Sequence, residues 1–405
     1  MIHLTKSLFS KISPLSGTKV LDLSRVLAGP LTSMLLSEYG AEVIKIEQPG
    51  YGDETRHWGP PYYEDEKSGK KMSTYFISLN KNKQSICVDL KKSDGQNLIK
   101  KLAENCDVLI ENFLPGTMSK YGLDYESIKK VNEKIVYASL TGYGQTGPYV
   151  NRGGYDVIAS SIGGMFSITG TPEQPIRPGV AITDICTALY CHGAIMAAMM
   201  EGKGRWIQSD LLATQLSVNT YAASAFLNSG VVGKRYGTAH PSIVPYQSFR
   251  CKDGEWLTVG GANDKLYFEL LDAIKKVVSK EFDLEFMYEF KGNPNRVKHR
   301  IEIISTLEKV FLSENLDFWV ESFRNCRFPH GAVNTMDRVF EDPQVIHKNV
   351  VEEIHNSGIK VVKHPINLGS ELSSDYNTVN FGYFADEKHV FRGLLFRGFI
   401  GRKTL

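Results

Sequence analysis

The chain has 405 residues, 42% of them hydrophobic and 23% charged, with a formal net charge of +2. That length exceeds one ordinary domain and can bury a large core without disulfides or structural metals. So small a charge gives no global field to gather nucleic acid or hold the chain on a membrane, and neither is expected as a partner.

Residues 1–13 carry Lys6 and Lys11 and no acid, with Leu4, Leu8, Phe9 and Ile12 on one helical face. They fit a short mitochondrial leader over residues 1–16 and fit equally a frayed terminus of a cytoplasmic chain. A strand is then predicted over 19–23, a turn over 24–30, and a helix bearing Leu31, Met34, Leu35 and Leu36 that Gly40 ends. A strand over 42–47 closes a βαβ unit. Strand 86–90, helix 95–104, strand 108–111 and strand 134–140 continue the alternation. This pattern predicts an α/β fold with a doubly wound, Rossmann-like, mostly parallel sheet.

Two long irregular stretches interrupt it, over 49–74 and 141–154, and loops of that length are usually functional. A helix from Asp184 to about 200, a strand over 206–210 and a helix from Leu211 follow. From 222 the texture changes to a strand over 254–259, amphipathic helices over 265–279 and 300–312, and helical pieces over 316–325 and 334–340. The expected organisation is a large domain of residues 17–221 with 335–405, and a smaller α+β domain of 222–334.

The six cysteines form no CxxC pair and the ten histidines show no zinc spacing, so reduced thiols in an intracellular compartment and no metal site are expected. No apolar run is expected to cross a bilayer.

The turn over 24–30 is a natural phosphate site, because free amides of a helix N-terminus face it. It lacks the GxGxxG spacing, which counts against a nicotinamide or flavin dinucleotide. Read without further knowledge, it is an ordinary strand-to-helix turn with Pro30 at the first helical position. Lys45, Lys81, Lys83, Lys91, Lys92 and Lys120 cluster at strand ends, where they serve either a phosphorylated ligand or plain solvation. Asp184 precedes a strong helix and is read both as an N-cap and as an ionised nucleophile. Tyr155 and Asp156 begin another helix. His240, in the loop 236–246, is open to a base role or to local backbone bonding. No nucleophile elbow, Walker loop or HExxH occurs.

Several ordered segments together resemble the class III CoA-transferase family. They are Val20-Leu21-Asp22-Leu23-Ser24-Arg25-Val26-Leu27-Ala28-Gly29-Pro30, Gly40-Ala41-Glu42-Val43-Ile44-Lys45-Ile46-Glu47 and Gly52-Asp53-Glu54-Thr55-Arg56. Asn80-Lys81-Asn82-Lys83, Glu111-Asn112-Phe113-Leu114-Pro115-Gly116, Thr141-Gly142-Tyr143-Gly144 and the run 177–184 complete them. Within that family the runs 177–184 and 236–249 look most like members that move CoA from succinyl-CoA to glutarate or hydroxymethylglutarate.

The resemblance implies that Asp184 is acylated during turnover, through aspartyl anhydride and aspartyl-CoA thioester intermediates. It implies that CoA, as substrate, lies along Arg25, Leu27, Ala28, Lys81, Val88, Asp89, Leu90, Lys91, Asn112, Phe113, Leu114, Lys120, Gly153, Gly154 and Tyr155. Arginine is common at the place of Lys81 in relatives, and lysine there loses the planar fork. The loop 237–246, with His240 and Ser242, is expected to be a lid. Arg56, Arg177 and Arg250 are candidates for a distal carboxylate. An interlocked homodimer is implied as well. After Ile366 the chain departs from the family's usual closing sequence and ends near the run 391–398.

An α-methylacyl-CoA racemase on the same fold is the nearest rival, but a histidine would be expected at Tyr155. A catalytically silent CoA-binding scaffold is another, and an NAD-linked oxidoreductase a third.

Overall fold

The computed structural model describes residues 13–65, 69–278, 282–354 and 357–366. The expected leader helix and the closing run 391–398 lie outside these. By its contacts the chain divides into two units, one of residues 1–165, 178–232 and 349–405, the other of 166–177 and 233–348.

The main sheet of the large unit has six strands: β1 (Lys19–Asp22), β2 (Glu42–Glu47), β3 (Lys83–Cys87), β4 (Val108–Glu111), β5 (Val136–Thr141) and β6 (Arg205–Asp210). They pair in the order β3-β2-β1-β4-β5-β6, every pair parallel. The order reverses between β1 and β4, and at such a switch point a crevice opens beyond the carboxyl ends of the strands.

Neighbouring residues of a strand face opposite ways, and here they sort into two cores. Val20, Val43, Val108 and Val136 join Leu36, Cys191 and Ile195, from the helices Ala28–Glu38 and Ile182–Glu201. Leu21, Ile44, Leu109 and Tyr137 join Ile99 and Leu102 of the helix Ser93–Ala103. Both faces are covered, which is why the strands read as apolar runs rather than alternating ones.

Three expectations need correction. The third strand begins at Lys83, not 86, because Lys83 is buried and bonded: its ammonium donates to Asp22, Pro30 O and Asn80. An apolar-run criterion misses such a lysine. The helix Ile182–Glu201 is, by length and composition alone, apolar enough to cross a membrane; its inner residues Ala188, Cys191 and Ile195 are instead buried in the large unit. By its contacts the small unit begins at 233 rather than 222, and the chain returns to the large unit at 349 rather than 335. The helix Thr220–Ser229 stays with the large unit, following Asn219, which donates to Gly163 O. Residues 166–177 belong to the small one, where Gly237 N–H donates to Gly170 O and Arg235 Nε to Thr171 O.

The small unit carries an antiparallel sheet of β7 (Tyr246–Arg250), β8 (Trp256–Gly260) and β9 (His330–Ala332). The helix Asp264–Val278 buries Tyr267, Leu270, Leu271, Ile274 and Val278, a 3.6-residue stripe. Phe249, Phe311, Trp319, Phe323 and Phe328 fill the core, and the buried Trp319 indole donates to Phe311 O at 3.0 Å.

Candidate active site

At the end of β1 the chain turns through Ser24–Leu27 into the helix Ala28–Glu38. The turn is held from three sides. Asn112, just past β4, accepts Arg25 N–H at 2.9 Å and donates to Arg25 O at 2.6 Å. Lys45 of β2 donates to Ser24 O at 2.9 Å. Asp53 accepts Val26 N–H with both oxygens, at 3.3 and 3.4 Å.

A buried charge network lies beneath. Asp22 bonds Ser24 and Ser33 hydroxyls and pairs with Lys83 at 3.1 Å, while Lys45 pairs with Asp53 at 2.9 Å. Burial works against the Asp22 charge, but Lys83 and Lys45 outweigh it and hold its carboxyl at about 2. Burial wins at Lys83, which falls to about 8 despite Asp22.

Above this base lies a cleft of about 270 Å³ within the large unit. It brings together Arg25, Leu27 and Ala28 from the first turn, Asn112, Phe113 and Leu114 from after β4, Gly153, Gly154 and Tyr155, and Asp184. All ten were singled out in the sequence. Gly142 and Gly154 cross backbone to backbone: a Cβ on either would lie within 2.7 Å of the other's Cα. Arg25 packs 5.0 Å over the Phe113 ring and pairs with Glu54 at 3.0 Å. Sequence reasoning missed Val26, Glu54, Tyr143 and Arg152, which also line the cleft. For Tyr143 and Arg152 the signal was position, since 141–154 leaves the carboxyl end of β5 beside the switch point.

Asp184 is the third residue of the helix Ile182–Glu201, whose cap is Ala181 with no side-chain bond. The capping role expected of Asp184 belongs to Asp156, whose Oδ1 accepts the amides of Thr183 at 2.8 Å and Asp184 at 3.2 Å. Among the described residues none donates to the Asp184 carboxylate. Burial, aided by the negative charge of Asp156, pushes its carboxyl up to about 7. The expectation that the helix end keeps it fully ionised is therefore corrected: burial and a like charge outweigh the dipole.

The remaining predicted residues lie elsewhere. Lys81 is buried and paired with Glu38 at 2.5 Å and Glu352 at 3.3 Å, and it donates to Val362 O. A ligand-binding ammonium was expected; the structure makes it an internal tie. Val88 and Leu90 pack into the core behind β3, Asp89 accepts Lys91 N–H, and Lys91 and Lys120 are exposed. None of these lines the cleft. Arg56 is consumed by a two-point pair with Glu47, 2.7 Å on each side, and lies 3.8 Å over Phe76. It is not free to read a distal carboxylate.

Arg177, His240, Ser242 and Arg250 belong to the small unit. His240 Nδ1 accepts Ser242 N–H at 3.0 Å, and its carbonyl accepts from Arg300. Arg177 and Arg250 are exposed. All six cysteines are free, and the described residues contain no cluster of three metal-ligating side chains.

A family model described as CoA-transferase family III matches residues 15–376. The chain belongs to CoA-transferase family III. As a family III enzyme it is similar to succinyl-CoA:glutarate CoA-transferase of Homo sapiens, at 44% identity over 88% of this chain and 80% of that one. Succinate–glutarate CoA-transferase of Agrobacterium fabrum is 39% identical, over 82% and 83% of the two chains. A CAIB/BAIF family protein from Brucella suis shares the fold, with a TM-score of 0.83 and 35% identity over 95% of this chain and all of that one. The CoA-transferase thus uses acyl-CoA substrates, and its α/β fold carries a six-stranded parallel sheet with small antiparallel sheets.

Proposed function

We propose that this CoA-transferase moves CoA from succinyl-CoA to glutarate or a related dicarboxylate, with Asp184 as nucleophile and the large-unit cleft as the CoA site. One observation carries the reading. Asp184 shares a single cleft with the Arg25 turn and Asn112, and Asp156 relieves it of capping. The names of the human and bacterial relatives supply the acids.

In the proposed course an Asp184 oxygen attacks the succinyl thioester carbon, the C–S bond breaks, and CoA leaves as thiolate. The thiolate attacks the aspartyl carbonyl of the mixed anhydride, expelling succinate and leaving an aspartyl-CoA thioester. An acceptor carboxylate oxygen attacks that carbonyl and expels the thiolate again. Attack of the thiolate on the acceptor acyl carbon then returns the Asp184 carboxylate and yields the new thioester. A carboxylate held near pH 7 is more basic than an ordinary one and a better nucleophile. Arg25 and Arg152 are the cations of the cleft suited to CoA phosphates.

Racemase chemistry is disfavoured by Tyr155, 62% exposed at the cleft, where that chemistry calls for an imidazole and a phenol is a poor proton acceptor. A homodimer is part of the proposal. Ile158, Ile162, Leu189, Tyr190, Phe226 and Leu227 on three large-unit helices are exposed apolar side chains of the kind a second copy would cover.

The test is incubation with succinyl-CoA and glutarate followed by mass spectrometry. Glutaryl-CoA and a hydroxylamine-trappable adduct on Asp184 are expected. Asp184→Ala should bind CoA yet transfer nothing, and retained turnover would reject the assignment.

A further inference from the structure

Val26 is the anomaly in the cleft wall. Its φ of +71° lies in the left-handed region, which a β-branched residue avoids because its side chain crowds the backbone. Such a shape persists only where surrounding groups over-determine it, and it gathers at functional sites. Two of the three groups that hold the turn converge on one carboxylate.

Asp53 is buried, at 1% exposure. Its own amide donates to Glu47 at 2.9 Å, and it accepts the Thr55 amide and hydroxyl at 2.9 and 2.7 Å. It reaches the turn twice, directly at Val26 N–H and through Lys45, which it pairs and which in turn donates to Ser24 O. Gly52, at φ +74°, is needed for this approach, since a Cβ there would meet Glu47 Oε2 at 2.8 Å. The residues so gripped continue directly into Leu27 and Ala28 on the cleft wall.

We propose that Asp53 is a positioning residue for CoA: directly and through Lys45 it holds the Arg25–Val26 turn in the left-handed shape that presents the cleft wall to the ligand. This rests on the reading of the cleft as the CoA site. Asp53 itself is not among the residues lining the cleft, so its effect on binding must pass through the backbone.

The experiment is a double-mutant cycle, read by calorimetric titration with CoA and by steady-state kinetics. Asp53→Asn keeps a hydrogen-bond acceptor and removes the charge. It should weaken CoA about tenfold and raise KM for acyl-CoA, with KM for the acceptor acid unchanged; general loosening would raise both. Glycine adopts a positive φ freely. In the Val26→Gly background the same Asp53→Asn change should therefore cost less than about threefold, the non-additivity expected of coupled residues.

Equal loss in both backgrounds, or equal rises in both KM values, overturns the proposal. Wild-type protein that fails to bind CoA overturns it together with the reading of the cleft. Should Asp53→Asn not fold, Val26→Gly and Val26→Ala decide: the glycine form should melt higher, by about 2 °C. An alanine form at least as stable shows that nothing strained is being held, and the proposal falls.

Discussion

Asp156 accepts the backbone amide of Asp184 at 3.2 Å, so a carboxylate holds the main chain of the residue whose charge it opposes. Because burial first and Asp156 second raise the Asp184 carboxyl to about 7, the ionised form of the proposed nucleophile is lost as pH falls through neutrality. The rate of transfer should therefore show an acid limb with a midpoint near 7. Asp156→Asn keeps an acceptor for the two amides but removes the negative charge, so that midpoint should move down by about one pH unit. A pH profile of kcat/KM checks it, and an unmoved limb in the variant contradicts the electrostatic account.

The same shift has a stability sign. A carboxyl raised in the folded state favours folding below its ordinary pKa and loses that contribution as pH rises toward 7. Asp184→Asn should match wild type in thermal melting at pH about 4 and melt higher at pH about 8, by a few degrees at most because the side chain is partly exposed. It should transfer no CoA at either pH.

Lys81 pairs with Glu38 and Glu352 inside the large unit. Lys81→Met leaves two carboxylates without their cation, and breaking a buried pair costs on the order of 3–5 kcal/mol. Denaturant unfolding should register that loss, while KM for acyl-CoA in the folded fraction stays at the wild-type value. A selective rise in KM would restore Lys81 to the ligand site.

Asn112 and Arg152 should separate by salt. Asn112→Ala removes both bonds to the Arg25 backbone and should weaken CoA binding by about 1–2 kcal/mol at any ionic strength. Arg152 is exposed on the cleft wall, stacked 4.0 Å over Tyr149, and Arg152→Ala should weaken binding chiefly at low salt. Titrations at two salt concentrations distinguish the two.

In the small unit, Trp319 is fully buried against Phe311 and Phe323. Trp319→Ala should cost about 3–5 kcal/mol, seen as a lower unfolding midpoint.

Much of the large unit was legible from its strands because the covered central ones are rich in Val, Ile and Leu, and β2 and β4 fall at their predicted ends. The ten predicted residues that share the cleft lie at strand ends or helix starts, where sequence pattern and chemistry coincide. The misreadings concern charge. Lys81, Lys83 and Arg56 look like surface or ligand-binding cations in sequence, and each is internally paired, the two lysines by carboxylates distant in the chain and Arg56 by Glu47 across a loop. No local pattern announces a partner 271 residues away, as between Lys81 and Glu352. Of the two readings of Asp184, capping gave way for the same reason, since the acceptor of those amides, Asp156, comes from another helix.

The parity of the strands has one more consequence. Val108 and Leu109 feed opposite cores, yet Asn112 stands only three residues beyond Leu109; Val20 and Leu21 likewise feed opposite cores, and Arg25 stands four residues beyond Leu21. Packing duties end where ligand duties begin, within a single turn of chain. Replacements at the strand tips can thus reshape the proposed CoA cleft while the layered interior stays intact, so an engineer altering binding there has a short, well-marked stretch in which to work.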